Sequence, residues 1–101
     1  MTRYDFGTVV RNVRQKRKIG LREMAKMIGV SPTYLSKVER GECGPPAEDK
    51  VRKMAVIINQ DPDYILSLAG RVSADLQEII RRYPIDTAKM LRAFAKRKKG
   101  A

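Results

Sequence analysis

The stretch LREMAKMIGVSPTYLSKVERG, residues 21–41, constrains the fold of this chain more than any other segment. Its first part predicts a helix over 21–28 with one apolar stripe, formed by Leu21, Met24, Ala25 and Ile28. Gly29 is typical of the position after a helix, and Ser31 followed by Pro32 is typical of a new helix start. Two helices joined by so short a turn must cross steeply, which predicts a helix-turn-helix.

The second helix of this pair, predicted over residues 32–40, has little apolar surface. Leu35 and Val38 lie close together on its inward face, because successive side chains are about 100° apart. The opposite face is polar and consists of Thr33, Ser36, Lys37 and Arg40. Such a face fits the DNA major groove, where base edges offer donors and acceptors. Polarity alone also fits an ordinary solvated face, but the steep crossing braces this helix outward and favours DNA.

The rest of the chain predicts five more helices and no strand, so the predicted fold class is all-α. The expected caps of these helices, in chain order, are Asp5, Ala47, Asp61, Ser73 and Asp86. The first helix should end near residues 18–20, and Pro84 should end the sixth. Apolar spacing predicts buried stripes along the fourth and fifth helices, formed by Val51, Met54, Ala55 and Ile58, and by Ile65, Leu66 and Leu68.

The charge of the chain narrows the kind of partner. There are 22 Lys and Arg against 11 Asp and Glu, which gives a net charge of +11. This excess favours a polyanion, and the longest aliphatic run, MAVII at residues 54–58, is too short to favour a membrane. We therefore expect a nucleic acid as partner, although a merely soluble basic protein remains open on charge alone. The N-terminus lacks the apolar region of a secretory signal, which favours a cytoplasmic location.

Side chains suited to catalysis or metal binding are scarce. The chain has no histidine, the commonest metal ligand and general base, and its one cysteine, Cys43, allows no internal disulfide. We expect neither enzyme activity nor a cofactor or metal site. A redox role for Cys43 is conceivable, but a small residue in an exposed loop is the simpler interpretation.

At this point the chain resembles the lambda-repressor-like helix-turn-helix family, also called the Xre or Cro/C1 type. The resemblance covers roughly residues 5–70 and is carried by residues 21–41, by the later segments GPP and DPDYILSLAG, and in the first helix by Val10, Val13 and Arg14. It implies an all-α domain of five helices, with the third in the major groove of DNA and the second across the DNA backbone.

The resemblance also implies roles for individual residues. Those at base-contacting positions are Pro32, Thr33, Ser36 and Lys37, and those at or near phosphate-contacting positions are Arg22, Ser31, Tyr34 and Arg40. It further implies an ion pair between Arg14 and Glu39, for which an exposed, unpaired glutamate is the alternative. The chain departs from the family at the caps of the second and fourth helices, where it has Gly20 and Ala47, and at Leu21, where the family often has a phosphate-binding glutamine.

Beyond the resemblance, the C-terminal residues carry more apolar side chains than a solvated hairpin needs. We expect a DNA-binding domain over residues 1–70, a helical extension over 71–97 and a mobile basic tail over 98–101. The extension can pack on its own domain or, as we favour, on the same helices of a second subunit. The predicted dimer interface consists of Leu76, Ile79, Ile80, Tyr83, Leu91 and Phe94.

These features predict a sequence-specific transcriptional regulator, most simply a dimeric repressor that reads an inverted repeat in double-stranded DNA. The alternative is an antitoxin-type protein that binds DNA with one half and a toxin or other protein with its C-terminal helices. An RNA-binding protein is disfavoured, because aromatic residues make up only 6% of the chain and stacking on bases requires them.

Overall fold

The structure is a computed structural model that describes residues 5–100. Within this range the chain forms seven α-helices and no strand, which confirms the predicted all-α class. The helices are α1 (Phe6–Lys16), α2 (Leu21–Ile28), α3 (Pro32–Glu39), α4 (Glu48–Ile57), α5 (Pro62–Leu68), α6 (Ala74–Arg82) and α7 (Pro84–Gly100). In the described range, none of these helices is both long and apolar enough to cross a membrane.

Side-chain caps start three of the first five helices. The carboxylate of Asp5 accepts hydrogen bonds from the backbone N–H of Gly7 and the hydroxyl of Thr8, at 3.1 and 2.7 Å. Ser31 Oγ accepts from the N–H of Tyr34 at 3.0 Å, and Asp61 caps α5 in the same manner. Each cap supplies an acceptor to an N–H that has no partner within its helix.

The chain differs from the lambda-repressor-like family at two helix caps, Gly20 and Ala47, and these two helices begin in different ways. Gly20 begins α2 without a side-chain acceptor, but its own N–H donates to Glu23 Oε1 at 3.3 Å, which forms half of a capping box. Ala47 begins α4 with no side-chain cap, and Glu48 and Asp49 in the first turn place negative charge near the positive end of that helix.

One apolar core joins α1 to α5. Every residue predicted for the inward stripe of α4 is fully buried, and so are Ile65 and Leu66 of α5. Leu68 is only partly buried. Among the described residues, the core cluster consists of Phe6, Val10, Met24, Ala25, Ile28, Leu35, Val38, Val51, Met54, Ala55, Ile58, Ile65 and Leu66.

The described residues form two compact units, one ending at Arg71 and one beginning at Val72. In the second unit α6 and α7 contact each other, although no residue of α6 is buried. Thr87 lies buried at their junction, where its hydroxyl donates to the carbonyl oxygen of Tyr83 at 2.7 Å. The outer limits predicted for the domains, residues 1 and 101, lie outside the described residues, as do residues 2–4.

Four details of the helix ends and caps differ from the sequence prediction. Helix α1 ends at Lys16, two residues before the predicted limit, because Lys18 adopts a left-handed conformation with φ 59°. Helix α7 begins at Pro84, so Asp86 lies in its first turn and is not its cap. Ser73 precedes α6 but makes no side-chain cap; its hydroxyl donates to Asp75.

The fourth difference concerns the basic tail. Helix α7 continues through Gly100, three residues past the predicted end of the helical extension at residue 97, and the mobility of the tail over 98–101 stays a prediction. Lys, Arg and Ala have high helix propensity, and no proline interrupts the chain after Pro84. The helix therefore has no residue that would end it before Gly100.

Candidate nucleic-acid interface

Helix α3 is held at a fixed angle to α2 by the turn between them. Gly29 adopts a left-handed conformation with φ 79°, and the N–H of Val30 donates to the carbonyl oxygen of Ala25 at 2.9 Å. From α4, Lys50 Nζ donates to the carbonyl oxygen of Ile28 at 3.2 Å. These bonds satisfy carbonyl groups at the end of α2, which has no helical partner for them.

The inward face of α3 consists of Leu35 and Val38, which are 1% and 2% exposed. On the same side Glu39 is buried and accepts two hydrogen bonds from Arg14 of α1, with distances of 2.8 Å from Nε and 3.0 Å from Nη2. Arg14 Nη1 also donates to the carbonyl oxygen of Ile19, at 2.7 Å. The alternative of an exposed, unpaired Glu39 does not hold in this structure.

Gly7 allows α1 to approach the C-terminal end of α3 very closely. A Cβ atom at this position would lie 2.5 Å from the carbonyl oxygen of Val38 and 2.6 Å from that of Glu39. Real Cβ atoms do not approach backbone oxygens at such distances. The contact therefore requires a residue without a side chain, and the helix-forming pattern around Gly7 gave no sign of this.

The outward side of α3 borders a hollow of about 330 Å³. The hollow is lined by Leu21, Arg22, Pro32, Thr33, Ser36 and Arg40. It thus brings together three of the four predicted base-contacting residues and two of the four predicted phosphate-contacting residues. Leu21, at the position where the family often has glutamine, contributes only an apolar wall.

The other three predicted contact residues, Ser31, Tyr34 and Lys37, do not line this hollow. Lys37 and Ser31 are exposed, and the hydroxyl hydrogen of Ser31 stays free to donate while its oxygen caps α3. Tyr34 is partly buried and packs against the edge of the core. Its ring is thus the least accessible of the predicted phosphate contacts.

Arg40 already has two partners within the chain. Its Nε donates to Glu42 Oε2 at 2.7 Å, and its Nη1 donates to Ser36 Oγ at 2.8 Å. The hydrogen bond and the charge of Arg40 lower the pKa of Glu42 below its usual value, and Glu42 raises the pKa of Arg40 in return. Both side chains are about half exposed, so this is a surface ion pair that solvent and salt can compete with.

Sequence reasoning missed three polar residues beside the predicted surface. Arg11 and Gln15 line a second hollow of about 180 Å³, together with Ser36 and Arg40. Arg11 lies one turn before Arg14 on the same helix, so helical spacing could have identified it. Glu42 lies in the loop after α3, where no periodic pattern indicates which side chain it contacts.

Comparison with known protein families identifies the family to which this arrangement of helices belongs. Residues 5–66 match the family described as a helix-turn-helix domain. The chain belongs to this family. The match covers α1 to α4 and most of α5, which confirms the lambda-repressor-like resemblance found in the sequence.

Three curated proteins are similar to this helix-turn-helix chain. The HTH-type transcriptional regulator RghRB of Bacillus subtilis (strain 168) is 30% identical over 74 residues, which is 73% of this chain and 53% of RghRB. The HTH-type transcriptional repressor RghR of the same organism is 28% identical over 67% of this chain and 50% of its own length. The ImmF control region 10 kDa protein of Bacillus phage phi105 is 34% identical over 55% of this chain and 61% of its own length.

The matches to the two Bacillus subtilis relatives span about half of their length. Among solved structures, a chain of the SinR protein/SinI protein complex is similar to this chain with a TM-score of 0.55 and 21% identity. The similarity covers 93% of this chain and 94% of the other. At 21% identity this match shows that the two chains share a fold and nothing beyond that.

Proposed function

We propose that this protein is a sequence-specific regulator of transcription that binds double-stranded DNA in the cytoplasm through α3. The observation that carries the proposal is the accessible polar surface of α3, which is braced from behind by a buried ion pair and by the core. A helix presented in this way fits the major groove of DNA. Two relatives that bear the names of HTH-type transcriptional regulators, and the net charge of +11, support the same function.

Thr33, Ser36 and Lys37 are the proposed base-reading residues. Lys37 can donate to guanine O6 or N7, and the two hydroxyl groups can donate to or accept from base edges. Pro32 has no N–H and is partly buried, so its role is to shape the start of α3 and to contact bases by packing alone.

Arg22, Ser31, Tyr34 and Arg40 are the proposed phosphate contacts. Arg22 is exposed in the first turn of α2, where a cation is unfavourable next to the positive end of the helix unless an anion compensates. A phosphate at this place would be such an anion. Arg40 can reach a phosphate by exchanging its surface contact with Glu42 for the stronger charge of the DNA backbone.

We further propose that α6 and α7 form the interface of a homodimer. All six predicted interface residues are at least 37% exposed in the single chain, and Tyr83 and Leu91 are more than half exposed. Exposed apolar side chains on two adjacent helices favour burial against another chain. A two-fold dimer would place two copies of α3 about 34 Å apart, which matches inverted half-sites one DNA turn apart.

A different protein partner for α6 and α7 is the second candidate function. The same exposed apolar residues support it, and the structurally similar SinR chain is part of a complex with another protein, SinI. In this form the chain would act as an antitoxin-type or similarly controlled DNA-binding protein. Analytical ultracentrifugation of the purified chain separates the two: a monomer at micromolar concentration favours the heterologous partner.

Selection of bound duplexes from a random DNA pool tests the DNA-binding proposal. We expect enrichment of a short sequence motif, and an inverted repeat of it if the chain is a dimer. Thr33→Ala and Lys37→Ala should each lose about 1–3 kcal/mol at particular base positions, whereas the matched surface variant Lys16→Ala should leave base preference unchanged. Enrichment of no motif, or equal weakening on all sequences, would contradict base reading.

The interface proposal has its own test. Ile79→Glu should shift a dimer to monomer, because it places a charge in an apolar contact, whereas Gln77→Glu on the same helix should not. A dimer that contacts about four phosphates per subunit should also show a log–log salt slope of roughly −7 in DNA binding, and a monomer about half of this.

A further inference from the structure

A second concave surface lies between the C-terminal parts of α2 and α4, within the first unit. It is a groove of about 310 Å³, lined by Met27, Arg52, Lys53, Val56 and Ile57. None of these residues lines the hollow beside α3. The groove is therefore separate from the proposed DNA-contacting surface.

The apolar floor of this groove is not required to complete the core. Met24, Met54 and Ile58 on the same two helices are fully buried, whereas Met27 and Val56 are 55% and 72% exposed. Met27 and Val56 thus form a small exposed apolar patch in one hollow, and an apolar patch rimmed by polar residues is typical of an interaction site. Methionine is also well suited to a contact surface, because its unbranched side chain adapts to different partners.

The rim of the groove is positively charged. Lys53 is exposed and makes no ion pair among the described residues. Arg52 forms an ion pair with Glu48, with 3.1 Å between Nε and Oε2. Two acidic residues lie one turn from the lining, Asp49 before Lys53 and Glu23 before Met27, and neither forms an ion pair among the described residues.

We propose that this groove binds an acidic amphipathic helix of another protein. Apolar side chains of such a helix would cover Met27 and Val56, and its carboxylates would pair with Lys53 and Arg52. This is the helix-in-groove mode of recognition, in which apolar anchors supply affinity and flanking charges supply selectivity. The chain could hold such a helix and DNA together, because the two surfaces share no lining residue.

Charge and apolar contact distinguish an acidic helix from two other molecules that could occupy the groove, a second copy of this chain and DNA. A second copy of this chain carries the same charge of +11, and residues 72–101, which hold its exposed apolar helices, contain eight Lys and Arg against three Asp and Glu. Such a segment would be repelled by Arg52 and Lys53. DNA fits the positive rim but offers nothing to the apolar floor.

The test uses the full chain and a synthetic peptide of about 16 residues, with Leu at helical i, i+3, i+4 and i+7 spacing and Glu on both flanks. Two-dimensional NMR of the isotope-labelled chain should show shifts that saturate below about 1 mM peptide and cluster at Met27, Lys53 and Val56. Lys53→Glu should weaken binding by about tenfold, and a peptide with Lys in place of Glu should then bind this variant better than the parent chain. Lys16→Glu, the same charge change on α1, is the matched control.

Specific outcomes would overturn the proposal. Equal binding of a peptide with Ser in place of Leu would show attraction to charge alone, and shifts centred on α3 would show that the peptide only mimics DNA. Equal weakening by Lys53→Glu and Lys16→Glu, or no saturable shift at about 1 mM peptide, would also refute it. Shifts spread along α6 and α7 would assign the peptide to the dimerisation surface instead.

Discussion

Gly7→Ala gives the sharpest test of how α3 is positioned. The new Cβ would lie 2.5 Å from the carbonyl oxygen of Val38, whereas a carbon and a carbonyl oxygen in close contact are about 3.3 Å apart. Helices α1 and α3 must therefore separate by roughly 0.8 Å at this point. The neighbouring atoms are backbone and cannot move aside as a flexible side chain could.

The energetic balance of this substitution has two opposing parts. Ala in place of Gly in a helix stabilises by up to about 1 kcal/mol, whereas overpacking of a tight contact costs about 1–3 kcal/mol. We expect the upper end of that cost, because the atoms that the new Cβ would meet in α3 are backbone atoms. We expect a net loss of about 1–2 kcal/mol, which corresponds to a fall in Tm of roughly 5–15 °C for a domain of this size.

Thermal and urea denaturation followed by circular dichroism measure this loss. Gly44→Ala is the matched control, because a Cβ at Gly44 meets nothing within 4 Å, and its Tm should stay close to that of the parent chain. The reasoning is refuted if Gly7→Ala is as stable as Gly44→Ala. DNA affinity should fall as well, because the separation moves the end of α3 that carries Lys37 and Arg40.

Three further predictions concern the polar residues around α3. Glu39→Met should lower the free energy of unfolding by about 3–5 kcal/mol by leaving Arg14 buried and unpaired, and the double variant Arg14→Met/Glu39→Met should recover most of this loss in urea denaturation. Ser31→Ala should cost about 1 kcal/mol as a lost cap, whereas Ser31→Asp should keep the stability and still weaken DNA binding through charge repulsion; equal stability losses would contradict the cap. Glu42→Gln should strengthen DNA binding by about threefold to tenfold on all sequences at low salt, because it frees Arg40 and removes a negative charge. Arg40 keeps the pKa of Glu42 below its ordinary value of 4.5, so Glu42 stays ionised, and DNA binding by the parent chain relative to Glu42→Gln should not change between about pH 8 and 5; a rise in the parent chain alone would show that Glu42 gains a proton in that range.

Local patterns predicted the helix starts well where a cap was involved. Asp5, Ser31 and Asp61 cap their helices through bonds to residues two or three positions later, so the signal lies within a few letters of sequence. The end of α6 before Pro84 was predicted correctly, but the start of α7 at Pro84 was missed, because proline ends one helix and is also favoured at the first position of the next. Sequence pattern alone does not separate these uses when two helices follow each other directly.

The features that sequence could not reveal depend on contacts between distant elements. The need for glycine at position 7 arises only where α1 crosses Val38 and Glu39, and nothing in the local sequence specifies that crossing. The contact of Glu42 with Arg40 depends on the conformation of the loop after α3. The outward face of α3 was accessible to sequence reasoning, because Leu35 and Val38 leave only one side for burial.

The buried ion pair also explains how so short a helix can present a defined surface. Two apolar anchors, Leu35 and Val38, hold α3 against the core but tolerate rotation about its axis, since apolar packing is not directional. The paired hydrogen bonds from Arg14 to Glu39 require a particular orientation of both side chains, as a bidentate contact does. A third apolar residue at position 39 could bury as much surface without fixing that rotation. For a helix whose outward side chains must meet specific base edges, the directional contact is the more useful one, and this accounts for a charged residue in the interior of so small a domain.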